Sequence, residues 1–201
     1  MNNENPEHEP IEPADNKVGD AIMKFIGMIP KTVEAISDQP AERARSIANV
    51  AAAKAATTAG ALALPPGPLA WVTILPELIM IWRIQAQMVA DLAGTYGRTE
   101  SLSESQMIYC LFRHGAAMAV RDLVVRVGDR YLVKRVTQRT LQNVARKIGI
   151  KVTQKAVGKS VTRWLPVIGA LGVGGYAYYD TAQVAKTAMA MFKSKIELEL
   201  D

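Results

Sequence analysis

A run of 22 residues without a charge, Ala55 to Pro76, is broken at its centre by Pro65-Pro66-Gly67-Pro68. No other feature constrains the fold of this 201-residue chain as much. A straight helix across the ~30 Å core of a bilayer needs ~20 unbroken apolar residues. Here the prolines remove backbone donors and Gly67 permits a reversal, so a helix must end and another begin. Each apolar arm is too short to span. The segment reads instead as a helical hairpin, its second helix starting at Pro68, loosened at Pro76, and closing at Gly97 as a C-cap.

The first arm, "SDQPAERARSIANVAAAKAATTAGALAL", has Ser37 or Asp38 to cap it, Pro40 in the first turn and Glu42 at the positive end of the dipole. Its interior is nearly all Ala and Thr, so a neighbouring backbone can come close. The natural partner is "WLPVIGALGVGGYAYY", Trp164 to Tyr179, which is uncharged and glycine-rich. Glycine in a helix costs up to ~1 kcal/mol relative to Ala and is tolerated where another helix must approach. A last helix, Asp180 to Phe192, buries Ala182, Val184, Ala185, Ala188 and Met189.

Between these lie two overlapping capping boxes, Ser101 with Glu104 and Ser103 with Gln106. They predict a helix running as far as Val127. From Tyr131 onward Val133, Val136, Thr140, Leu141, Val144 and Ile148 form one stripe against Lys134, Arg135, Gln138, Arg139, Gln142, Arg146 and Lys147. This pattern predicts an amphipathic helix with a basic outer face, continued by Lys151, Lys155 and Lys159. The fold class is therefore all-α, in three parts: an acidic tail over 1–16, an amphipathic helix over 17–36 and a helical domain over 37–201. The hydrophobic fraction of 49% with only 6% aromatic residues suits close-packed helices.

Charge narrows the partners. The tail "MNNENPEHEPIEPADN" holds five acids and no Lys or Arg, whereas the whole chain is +5. Arg113 to Arg163 holds thirteen Lys and Arg against Asp122 and Asp129, a net of +11. Such a block draws anionic partners: lipid headgroups, an acidic membrane protein or nucleic acid. The residues expected to carry the docking are Arg121, Arg126, Arg130, Lys134, Arg135, Arg139, Arg146, Lys147, Lys151, Lys155 and Lys159. Aromatic residues are not interleaved with them, which argues against single-strand stacking. Upstream, "KVGDAIMKFIGMIPK" sets Phe25 and Ile26 on an apolar face and Lys17, Lys24 and Lys31 on a basic one. That face suits a membrane surface, and equally the rim of a helical core.

The order of segments "RARSIANVAAAKAATTAGALALPPGPLAWVTILPELIMIWRIQAQMVADLAGTYG" and "LPVIGALGVGGYAYYDTAQVAKTAMAMF" resembles the EcsC family of bacterial proteins, over Ala41 to Phe192. Relatives often carry Asn where Tyr176 stands. The resemblance implies a helical protein associated with an ABC-transporter operon and membrane-related processes, without an established activity or catalytic residues. The positions that match its pattern are Pro76, Glu77, Arg83, Gln87, Asp91, Tyr96, Gly97, Gly169 and Gly172.

Catalytic chemistry finds little support. Glu77 and Asp91 lie about 21 Å apart along a helix, beyond the ~10 Å that paired carboxylates need. They read better as anchors for arginines of the basic block. Cys110 and His114 share a helix face at i, i+4 but have no further Cys or His in the folded part, so a core pair is expected, and no metal. "GALGVGG" lacks the Lys-Ser/Thr of a phosphate loop. The lone cysteine and the acidic opening point to synthesis and residence in the cytoplasm. The sequence thus predicts a cofactor-free, non-enzymatic accessory protein, peripheral on the inner face of the cell membrane. A soluble nucleic-acid-binding protein and a toxin-like protein that inserts its hairpin are the alternatives.

Overall fold

The computed structural model describes residues 20, 22, 23, 25, 29–62, 70–121, 123–134, 136–159 and 166–199. At 62, 70–77, 151–159, 166–171, 195 and 197–199 it describes the backbone alone. The acidic tail, Lys17, Lys24, Ile26, the Pro65–Pro68 turn and Arg135 lie outside the described residues.

The chain is predominantly helical, as expected. Helix α1 (Pro40–Leu62) and helix α2 (Ala70–Thr95) are the two arms of the hairpin, and they pack on each other. Helix α3 (Glu104–Phe112) and the single turn α4 (Ala117–Val120) follow. Strands β1 (Val124–Val127) and β2 (Arg130–Lys134) come next, then helix α5 (Gln138–Lys159), helix α6 (Pro166–Lys193) and strand β3 (Lys195–Glu199). Among the described residues no helix is long and apolar enough to cross a membrane.

The expected partnership of small-residue helices is present. Helix α6 makes its most extensive packing against α1. At Gly174 a Cβ would lie 2.9 Å from the Ala56 carbonyl oxygen and 3.9 Å from Gly60 Cα, so glycine is required there. The glycine-rich segment and the last helix expected from Asp180 form one element: α6 is continuous from Pro166 to Lys193.

The C-terminal half of α2 is the central element. Trp82, Met88, Val89, Leu92 and Ala93 are buried, and Trp82 meets Phe112 of α3 edge-on at 5.3 Å between ring centres. Each such side chain contributes ~1.5–3 kcal/mol by leaving water. Gly97, at φ +66°, caps α2 as expected: its N–H bonds the Gly94 carbonyl, and the Arg98 N–H bonds that of Ala93.

Two predicted elements differ. The helix of the capping boxes starts on Ser103 and Gln106, whose reciprocal bonds are both present, but it stops at Phe112 rather than Val127. Val124 to Lys134 is a β-hairpin, antiparallel and registered Val125 to Leu132 and Val127 to Arg130. Its two-residue turn places Gly128 at φ +60°, the left-handed conformation that a tight hairpin asks of its first turn residue. The valines of β1, with Tyr131 and Val133 of β2, favour strand over helix here. Strand β3 then adds parallel to β2, giving the order β1-β2-β3. The amphipathic basic helix begins at Gln138, not Tyr131, because the Thr137 hydroxyl accepts the Thr140 N–H and caps it there.

The amphipathic segment near residue 20 is turned inward. Ile22 is wholly buried and Phe25 is 8% exposed, both within the main core. The membrane contact expected of Phe25 is thereby corrected: its apolar face had a protein surface to cover. Beyond Ile29 the chain runs as an extended strap along α2. Thr32 Oγ1 donates to Asp91 Oδ1 at 2.7 Å, and Gln87 Nε2 donates to Asp91 at 2.9 Å and to the Lys31 carbonyl at 3.1 Å. A Cβ at Gly94 would sit 2.7 Å from the Glu34 carbonyl oxygen. Arg43 clamps Glu34 with two bonds, at 2.9 and 2.6 Å.

Candidate anion-docking surface

The hairpin and α5 carry the basic block. On α5, Leu141, Val144, Ala145 and Ile148 are buried while Arg139, Arg146 and Lys147 are exposed, so the predicted two-sided pattern holds over residues 141–148, whereas Thr140 of the predicted apolar stripe is exposed. The Arg146 guanidinium also donates to Asn143. Arg121, Arg126 and Arg130 are exposed and Lys134 is half-buried. Lys151, Lys155 and Lys159 lie on the α5 backbone.

Register sorts the hairpin into two faces. Val125, Val127, Arg130 and Leu132 share one, and Val124, Arg126, Tyr131 and Val133 share the other. Val124, Tyr131 and Val133 are buried in the core, whereas Val125 is 36% and Val127 55% exposed. The outward face thus mixes branched apolar side chains with Arg130, while Arg126 lies on the other face, over Tyr131.

Two arginines are held in place by buried tyrosines. The Arg113 guanidinium lies 5.4 Å from the centre of the Tyr109 ring, and that of Arg126 lies 5.8 Å from the centre of Tyr131. The two rings meet edge-on at 6.4 Å. Arg126 Nε donates to the Gly128 carbonyl at 3.1 Å. Burial raises the Tyr109 pKa, and Arg113 and Arg126 both act to lower it. Tyr131 is 1% exposed, and among the described residues nothing hydrogen-bonds its hydroxyl. Neither Arg113 nor its tyrosine support was expected to act; only the tyrosines' spacing around a two-strand alternation could have shown it.

A second polar cluster replaces the expected Cys110–His114 pair. Cys110 is wholly buried, and burial pushes its thiol pKa up. His114 Nε2 instead lies 2.6 Å from Asp180 Oδ1 on α6. The other Asp180 oxygen accepts from Gln85 Nε2 at 2.8 Å, and the same amide lies 3.2 Å from the Thr181 hydroxyl. Gln85 is wholly buried, and its Oε1 has no partner among the described residues. Burial first, then the Asp180 charge, raises the pKa of Tyr176. This cluster ties α2, the end of α3 and α6 together. Among the described residues no group of His, Cys, Asp and Glu could hold a metal.

Three positions of the family pattern, Gln87, Asp91 and Gly97, are accounted for by contacts with the strap. Asp91 does not anchor an arginine of the basic block; with Gln87 it fastens the strap, and Gly97 meets Ile36 of the strap at 3.1 Å from a built Cβ. Arg83 is exposed and Tyr96 is half-buried, its pKa raised by burial. Pro76, Glu77 and Gly169 lie on helix backbone, and Gly172 is exposed with open space around it. Among known proteins, no family model matches the chain, and no curated protein or solved structure is similar to it.

Proposed function

We propose that this chain is a non-enzymatic accessory protein that docks peripherally on an anionic membrane surface through its β-hairpin and the basic side of α5. The observation that carries this reading is the exposure of Val125 and Val127 beside Arg126 and Arg130 on one short hairpin. Cations draw the protein to anionic headgroups, and branched apolar side chains add binding by entering the headgroup boundary. Nucleic acid would use the cations and leave the valines in water. The resemblance to the EcsC family agrees with a membrane setting and contributes the further suggestion of a transporter-type partner there.

Fractionation of cells expressing the tagged protein tests this. The protein is expected with the membranes and is expected to leave them in about 1 M salt, where the screening length falls to ~3 Å. Resistance to salt and to alkaline carbonate would replace docking with insertion. Recovery wholly in the soluble fraction would contradict the membrane setting.

A further inference from the structure

We infer that the acidic tail, residues 1–16, docks along the basic side of α5 and covers it until a more strongly anionic surface displaces it. The contact itself is intramolecular and stands apart from the membrane reading above; its consequence for docking rests on that reading.

Helix α5 carries six Lys and Arg and no Asp or Glu in 22 residues. Lys147, Lys151, Lys155 and Lys159 follow one another at four-residue spacing, where like charges destabilise a helix. Arg139, Arg146 and Lys147 are exposed, and among the described residues no carboxylate pairs with any of them. The chain itself supplies the opposite charge. Glu4, Glu7, Glu9, Glu12 and Asp15 lie in a stretch without Lys or Arg, a block of one sign of the kind that serves as an interaction tail.

Reach and spacing agree with this placement. The five acids precede Ile22, which is wholly buried in the core, by seven to eighteen positions. At ~3.1 Å per residue they extend ~20–55 Å from that fixed point, and a compact chain of this size is roughly 40 Å across. Pro6, Pro10 and Pro13 favour the extended form with three residues per turn, in which Glu9, Glu12 and Asp15 recur along one side every ~9 Å. Arg139 and Arg146 stand two turns apart on one line of α5, at ~10.5 Å. Tethering holds the acids at an effective concentration on the order of millimolar, so weakly anionic surfaces fail to displace them.

The test uses the full chain with a nitroxide at I11C, the native Cys110 being wholly buried and out of reach of the label. Paramagnetic broadening is expected at the Arg139, Arg146 and Lys147 amides and should vanish in about 1 M salt, where the screening length is ~3 Å. It should also vanish when the tail is neutralised by E4Q/E7Q/E9Q/E12Q/D15N. No broadening on α5, or broadening that survives neutralisation, overturns the cover and leaves the docking reading standing. With phosphatidylcholine vesicles containing phosphatidylglycerol, the neutralised tail should tighten binding about tenfold. In an R139Q/R146Q/K147Q background the same neutralisation should change affinity by less than about twofold, since the cations it uncovers are gone. Equal gains in both backgrounds would reduce the tail to bulk charge and overturn the cover. Broadening on α5 with no vesicle binding by any of these chains upholds the cover and removes the docking reading.

Discussion

Gly172 and Gly174 stand two residues apart in α6 and answer to different constraints. Gly174 faces the Ala56 carbonyl, so G174A overpacks a backbone contact and should cost ~1–3 kcal/mol. Gly172 faces open space, so G172A should be neutral or stabilise the helix by up to ~1 kcal/mol. Urea unfolding followed by circular dichroism checks both; equal effects of the two would remove the α1–α6 contact from the account. The need for close approach was legible in the composition of the two segments. Which glycine would meet the neighbour was not, since that depends on the rotation of α6 about its axis. Phe25 teaches the same lesson in reverse. Its amphipathic spacing was plain, but periodicity does not say whether the apolar face meets lipid or protein. The His114–Asp180 pair, 66 positions apart, had no local signal at all.

At the scale of elements, the strap over α2 turns a string of polar residues into a fastening. Asp91 accepts from both Thr32 and Gln87, and the Glu34 amide donates to the Thr32 hydroxyl at 3.0 Å. D91A should release this segment at a cost of ~1–3 kcal/mol. Hydrogen exchange should then quicken at the Glu34 and Ser37 amides, the latter now bonded to the Thr95 carbonyl, while Val89 and Leu92 stay protected. Unchanged exchange at Glu34 would show that the strap is held by something other than Asp91. The hairpin arms, the capping box at Ser103 and the outward basic side of α5 were legible from sequence. The β-hairpin is less legible: Gly128-Asp129 sits between a valine run and Tyr131-Leu132-Val133, but the preceding capping box favours one long helix. A helix through Val127 puts Arg126 on a helix face and hides its place over Tyr131.

At the scale of the whole molecule, two predictions follow from the same packing. Tyr109 and Tyr176 both have pKa values raised by burial, so the folded chain keeps their protons where an unfolded one would release them. Below the ordinary tyrosine range of about 10 both states hold the proton and these groups contribute no pH dependence. Above it the unfolded state ionises first, so stability should fall as pH rises. The urea midpoint should drop in step with tyrosinate absorbance, chiefly through Tyr109, since Tyr176 is half exposed; complete ionisation at an unchanged midpoint would contradict the buried placement of Tyr109. The central claim, docking by a mixed apolar and basic hairpin, is tested most directly by flotation with phosphatidylcholine vesicles, with and without phosphatidylglycerol. Wild type should float with the anionic vesicles alone, and both V125D/V127D and R126Q/R130Q should lose at least about tenfold in affinity while remaining folded by circular dichroism. Undiminished flotation of V125D/V127D, or no flotation of the wild type, would contradict the account.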